Sequence, residues 1–142
     1  CPFAAHIRKT NPRSDLTALP GQTENPKALD TRRIIRRGIP FGPEVSYEES
    51  TSHKTQHERG LLFVCYQSNI GNGFQFIQHS WANEPKFIFG KPEKLPGFDP
   101  IIGQNADDAD RDMAGWSIDN PKLRLDLGTS EFVKSSGGEY FF

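Results

Sequence analysis

Apolar positions in this chain come in short bursts separated by long polar stretches. The longest burst, "GLLFVCYQ" (60–67), is continuous, β-branched and aromatic, which predicts a strand buried on both faces. "IGNGFQFIQHSWAN" (70–83) places Phe74, Ile77, Gln78 and Trp81 at three- and four-residue spacing. That pattern predicts a helix over about 71–83, stopped by Pro85. "TRRIIRRGIPFG" (31–42) sets Ile34 and Ile35 between arginine pairs, and predicts a short strand over 32–37 ended by Gly38, Pro40 and Gly42. "KLRLDLG", "EFVKS" and "GEYFF" predict short antiparallel strands divided by glycine near the end. Residues 14–30, 43–59 and most of 84–115 read as loop. The pattern as a whole is α+β, with strands outnumbering helices.

Composition narrows the class. The chain has 142 residues, enough for one domain with a hydrophobic core. Its 11 Phe make that core aromatic, while 11 Pro and 13 Gly make the rest loop-rich. Net charge is -1, from 17 cations against 18 acids, so nothing points to nucleic acid. No run approaches the roughly eighteen apolar residues that a membrane helix needs. Cys1 and Cys65 are too few to define a disulfide framework. With no initiator Met and a last run, "GEYFF", that reads as mid-strand, the sequence is expected to be a segment of a longer protein.

Several patterns could carry chemistry. His53 and His57 in "HKTQH" would share a helix face and could grip Zn²⁺, but two solvated loop histidines are the simpler reading. Asp108, Asp110 and Asp112 in "DDADRD" have calcium-loop spacing, yet Met113 and Asp119 replace the Gly and Glu that such a loop requires. "GNG" (71–73) lacks the rest of a nucleotide motif, and no G-x-S-x-G elbow is present. Cys65 inside an apolar strand is expected to be inert, because burial raises a thiol's pKa. Of Arg32, Arg33, Arg36 and Arg37, the first and third share a strand face with Ile34 and the others share the opposite face with Ile35. An inward-facing guanidinium there would need an anion. His6, after "CPFAA" and before Arg8, Lys9 and Arg13, is undecided by spacing alone.

Taken together, "CPFAAHIRKTNPR", "RRIIRRGIPFGPE", "GLLFVCYQSNI", "FQFIQHSWANEPKF" and "SSGGEYFF" resemble, in order, segments of the dye-decolourising peroxidase family, its fungal secreted branch most closely. The resemblance implies a ferredoxin-like antiparallel sheet with helices, the C-terminal half of a dimeric α+β barrel-type haem peroxidase, with residues 1–142 as its haem-ligating domain. It further implies haem b, with His6 ligating the iron and Arg36 as the distal cation. Leu61 and Phe63 would form the dry wall of the distal pocket, and Arg8 and Arg13 would meet the haem propionates. Asp99 in "GFDPIIG", or alternatively Glu93, would pair with the ligand's other nitrogen. Trp81 matches a tryptophan that some relatives use as a surface site for oxidising bulky dyes. Phe41 stands where some relatives carry a tyrosine, so no second relay is expected there.

The implied activity is reduction of hydrogen peroxide with oxidation of dyes and phenols, in an extracellular setting and away from any membrane. The family's distal acid lies in a G-x-x-D-G motif that these residues lack. The N-terminal part of the same protein is therefore the expected partner, and the segment by itself should hold haem weakly. The alternative is a non-catalytic fragment that binds protein or carbohydrate through exposed Trp81, Phe87 and Phe89.

Overall fold

The computed structural model describes residues 1–16, 29–105 and 109–142. Most of the predicted loop at 14–30, and Asp107 and Asp108 of the acidic cluster, therefore lie outside the described residues. The chain divides into two units, Ile34–Ser68 and the remainder, Cys1–Arg33 with Asn69–Phe142.

The larger unit carries α1 (His6–Thr10) and a single 3₁₀ turn at Arg13–Leu16. Arg8 and Lys9 fill the last turn of α1, where cations complement the helix dipole. The helix predicted over 71–83 is shorter. It begins at Phe74, after a turn in which the Asn69 side chain accepts from the Asn72 amide at 2.9 Å. After one ordinary turn, α2 (Phe74–Phe76), the coil widens into a π-helix over Ile77–Ala82. There the Asn83 amide donates back to the Gln78 carbonyl at 2.9 Å. The three-four spacing did mark the inner face, because Ile77 and Trp81 are both buried.

Around them a small core assembles from Ala4, Ala82, Phe87, Ile88, Phe98, Met113 and Ala114. Phe87 stacks on Trp81 at 5.4 Å and 7°, and Phe76 meets the indole edge-on at 5.4 Å. Among the described residues, Arg124–Leu125 within "KLRLDLG" is the one piece of the predicted terminal strands that forms, and it pairs with Met113–Ala114 from the stretch read mostly as loop. Neither "EFVKS" nor "GEYFF" is strand, and Phe132, Val133, Phe141 and Phe142 are exposed. With no layer to cover their apolar side chains, these runs have nothing to pair against in this unit.

The smaller unit is one antiparallel ribbon. Ile35–Arg36 (β1) pairs with Cys65–Tyr66 (β4), and Ile39–Phe41 (β2) pairs with Gly60–Leu62 (β3), in the same register. The ribbon is interrupted at 37–38 and 63–64, where the Arg37 amide bonds across to the Val64 carbonyl. At Gly38 an added Cβ would lie 2.9 Å from a Leu61 methyl, so a side chain here would displace that leucine. Thus the strand predicted over 60–67 is two short strands, and it is not buried on both faces. Leu61, Leu62, Phe63 and Tyr66 are 57%, 57%, 44% and 67% exposed. Apolar composition marked the strand correctly but could not reveal that neither face is covered within this unit.

Between the ribbon's arms lies α3 (Tyr47–Ser52), begun by a reciprocal capping box in which Ser46 and Glu49 satisfy each other's backbone amides. Glu49 is the unit's buried anchor. Its carboxylate accepts from Arg59 and from the amides of Ser46, Gln56 and His57. These bonds, Arg59's first, hold its pKa far below the ordinary 4.5. His53 ends α3 in the left-handed region, and His57 spends its amide on Glu49. Among the described residues, no group of three His, Cys, Asp or Glu side chains could hold a metal ion, and no helix is long and apolar enough to cross a membrane.

A depressed folded-state pKa stabilises above the unfolded glutamate value and is lost only as pH falls through the folded one. The 46–59 loop should therefore keep its structure well into acid, whereas Glu49→Gln should loosen it even at neutral pH. Amide exchange of Gln56 and His57 measured across pH would show this.

Candidate functional site

The site grows from the buried carboxylate of Asp99. Its backbone amide donates to the Ala82 carbonyl at 2.7 Å, which ties it to the end of the π-helix. Its Oδ1 accepts from the amides of Ile101 and Ile102, at 2.9 and 3.2 Å. Its Oδ2 lies 2.7 Å from Nδ1 of His6. A carboxylate that accepts at both oxygens leaves Nδ1 of the imidazole as the donor, so the lone pair of His6 sits on Nε2. Asp99 is fully buried, while the His6 side chain is one-third exposed (33%). The ring is thus oriented from inside and open at the nitrogen that would bind a metal. Glu93, the alternative partner, instead accepts from the Leu95 amide.

Lys9, one turn on from His6, is fully buried. Its ammonium donates to the carbonyls of Glu84 and Phe87, and lies 5.5 Å from the centre of the Phe87 ring. Burial lowers its pKa to about 8, against opposing pulls from Asp99 and Glu84. Sequence reasoning passed over this residue, because a lysine in a basic run looks solvated. It pins the 84–87 turn that holds Phe87 against Trp81.

Other expected site residues fare differently. Arg8 does not present a free guanidinium. It forms a bidentate pair with Asp15, at 2.9 and 2.6 Å, and donates to the Cys1 carbonyl at 2.7 Å. Lys91 joins the same carboxylate, and although burial opposes it, these two cations hold Asp15 below its ordinary pKa. The guanidinium expected at a propionate is thus shared with an internal acid. Arg13 is exposed, with a left-handed backbone (φ 45°) and no partner among the described residues.

Trp81 is also not a surface residue of this unit, being only 6% exposed. It is reached through an open cavity of about 450 Å³ lined by Arg32, Phe76, His79, Glu84, Phe87 and Phe89. Of the aromatic trio offered for a binding domain, Phe87 is buried like Trp81 and only Phe89 is exposed. That alternative loses the surface on which it rested.

In the ribbon, Arg36 is opposite Cys65 and Pro40 is opposite Leu61. Strand alternation then places Arg36 on one face with Leu61 and Phe63. Burial pushes the Cys65 thiol up, away from nucleophile behaviour.

With this geometry in view, the likeness to known proteins is specific. The profile described as Dyp-type peroxidase, C-terminal, matches residues 2–98. A dye-decolorizing peroxidase from Exidia glandulosa is 52% identical over 142 residues, covering 100% of this chain and 25% of the relative. AauDyP1 from Auricularia auricula-judae is 46% identical, over 100% of this chain and 27% of its own length. The solved structure of an ancestral D-type dye-decolorizing peroxidase superposes with a TM-score of 0.81 at 60% identity, over 93% of this chain and 28% of that one. The chain belongs to the dye-decolourising peroxidase family, whose α+β fold it shares, and it spans about a quarter of the length of these curated relatives.

Removing the central carboxylate should be costly. Asp99→Ala leaves two amides and an imidazole unpaired, and is expected to lower stability by about 3 kcal/mol. Chemical denaturation of the variant beside wild type measures it.

Proposed function

We propose that this chain is the haem-ligating C-terminal domain, residues 1–142, of a secreted peroxidase that reduces hydrogen peroxide and oxidises dyes and phenols. In this reading His6 ligates the iron of haem b and Arg36 is the distal cation. The observation that carries it is the 2.7 Å contact between His6 and the fully buried Asp99, which leaves Nε2 open. That donor set suits haem iron, since a carboxylate on the far nitrogen makes an imidazole more electron-donating.

Haem bound at His6 supplies the two-electron reduction of peroxide and the oxidising equivalents that electron donors then discharge. The residues of the chain supply the rest. The guanidinium of Arg36 stabilises negative charge on the departing oxygen as the O–O bond breaks. Leu61 and Phe63, on the same ribbon face, exclude water and so strengthen that charge interaction. Arg13, exposed and without a partner among the described residues, is a cation available to a propionate. Trp81 passes electrons inward from donors that enter the cavity beside Phe76 and Phe89. The acid that relays the peroxide proton comes from the part of the protein that this chain does not span.

The test uses the full-length protein loaded with haem. His6→Ala should abolish the Soret signature of a histidine-ligated haem. Arg36→Leu should keep that signature while slowing peroxide consumption by about a hundredfold or more. An unchanged spectrum in His6→Ala would end the assignment.

A further inference from the structure

Arg111 lies in the stretch read from sequence as a solvated acidic loop, yet it is only 5% exposed. Its guanidinium packs over the Phe98 ring, 5.3 Å from the centre. One terminal nitrogen donates to the carbonyls of Pro100 and Gly103, at 2.9 and 3.2 Å. The other reaches Glu131 at 3.5 Å. The remaining Nε is buried and has no hydrogen-bond partner among the described residues.

The two carbonyls belong to the turn that cradles Asp99. The Pro100 carbonyl and the Ile101 amide are two ends of one peptide group, and that amide donates to Oδ1 of Asp99 at 2.9 Å. The turn therefore faces a carboxylate with its N–H groups and a cation with its carbonyls. Gln78 adds a third donor on the carbonyl side, at Ile102. Gly103 closes the turn onto the Asp99 carbonyl so tightly that an added Cβ would lie 2.3 Å from that oxygen. The arrangement is a line of polarisable bonds from Arg111 through one peptide to Asp99, and from Asp99 to Nδ1 of His6.

We infer that Arg111 is a positioning residue that sets how strongly His6 donates to its metal. The inference rests on the reading of His6 as the haem ligand. A cation on the Pro100 carbonyl draws electron density along the peptide and makes the Ile101 amide a stronger donor. Asp99 is then a weaker acceptor toward His6, and the imidazole gains less anionic character. Arg111 thus opposes the effect of Asp99, and iron held by His6 is easier to reduce with Arg111 present than without it.

The experiment compares haem-loaded full-length variants by ferric/ferrous redox titration and by the iron–histidine stretching frequency. Arg111→Gln should shift the potential downward and the stretch upward. Arg111→Lys, which keeps a cation near the carbonyls, should restore most of both. Asp99→Asn should move both in the opposite sense and abolish the response to Arg111→Gln. Equal shifts in the Gln and Lys variants, an unmoved potential, or a full Arg111→Gln response in the Asp99→Asn background would each overturn the inference.

Should Arg111→Gln fail to fold, Glu131→Gln decides. It removes the counter-anion at the half-exposed end, so the potential should rise, and no rise overturns the inference. His6→Ala serves as the separate control. Persistence of the iron–histidine stretch there sinks the ligand assignment itself, whatever Arg111 does.

Discussion

The larger unit depends on one buried negative charge. A carboxylate with no exposure to water is costly unless it is hydrogen-bonded, and both oxygens of Asp99 accept, from two backbone amides and one imidazole. Each bond it makes has a structural result. The amides fold the 99–103 turn, the imidazole is fixed in rotation, and its own N–H fastens the turn to the end of the π-helix. Local order and prospective chemistry thus share one cause, because the groups that make the burial tolerable are the groups that aim His6.

A second set of contacts carries the aromatic side of the unit. Phe76, Trp81, Phe87 and Phe89 form a continuous run of edge and stacked contacts, with Lys9 beneath Phe87 and Arg32 at 3.6 Å over Phe76. These two cations, on Phe76 and Phe87, favour the electron-rich faces and fix ring orientation. The tryptophan consequently lies in the wall of an open cavity instead of projecting from the surface.

How far the sequence could be read differs from residue to residue. His6, Asp99 and the Arg36 strand were legible through resemblance, since short segments in a fixed order are informative where isolated histidines and arginines are not. Ile77 and Trp81 were legible from spacing, because side chains on one helix face must be apolar if that face is buried. The run at 60–67 misled, since periodicity reports what a segment would bury and not what is present to bury it. The partner of Arg8 was not legible, because Asp15 stands in a stretch that looked structureless. Arg111 and Lys9 were invisible, as both are charges buried against backbone carbonyls, which no side-chain pattern marks.

The π-helix over Ile77–Ala82 has a consequence for how the unit tolerates change in length. A wide turn of this kind holds one more residue than an ordinary α turn. Deleting a single amino acid there would let the coil tighten to an ordinary turn while the residues after it keep their place, so the change would fall on the side chains inside the turn. The indole would leave its stack, whereas the carbonyl of Ala82 would still reach the Asp99 amide. A change of length within these six positions is therefore felt first by the aromatic stack, and one on either side of them by the stack and the support of the imidazole together.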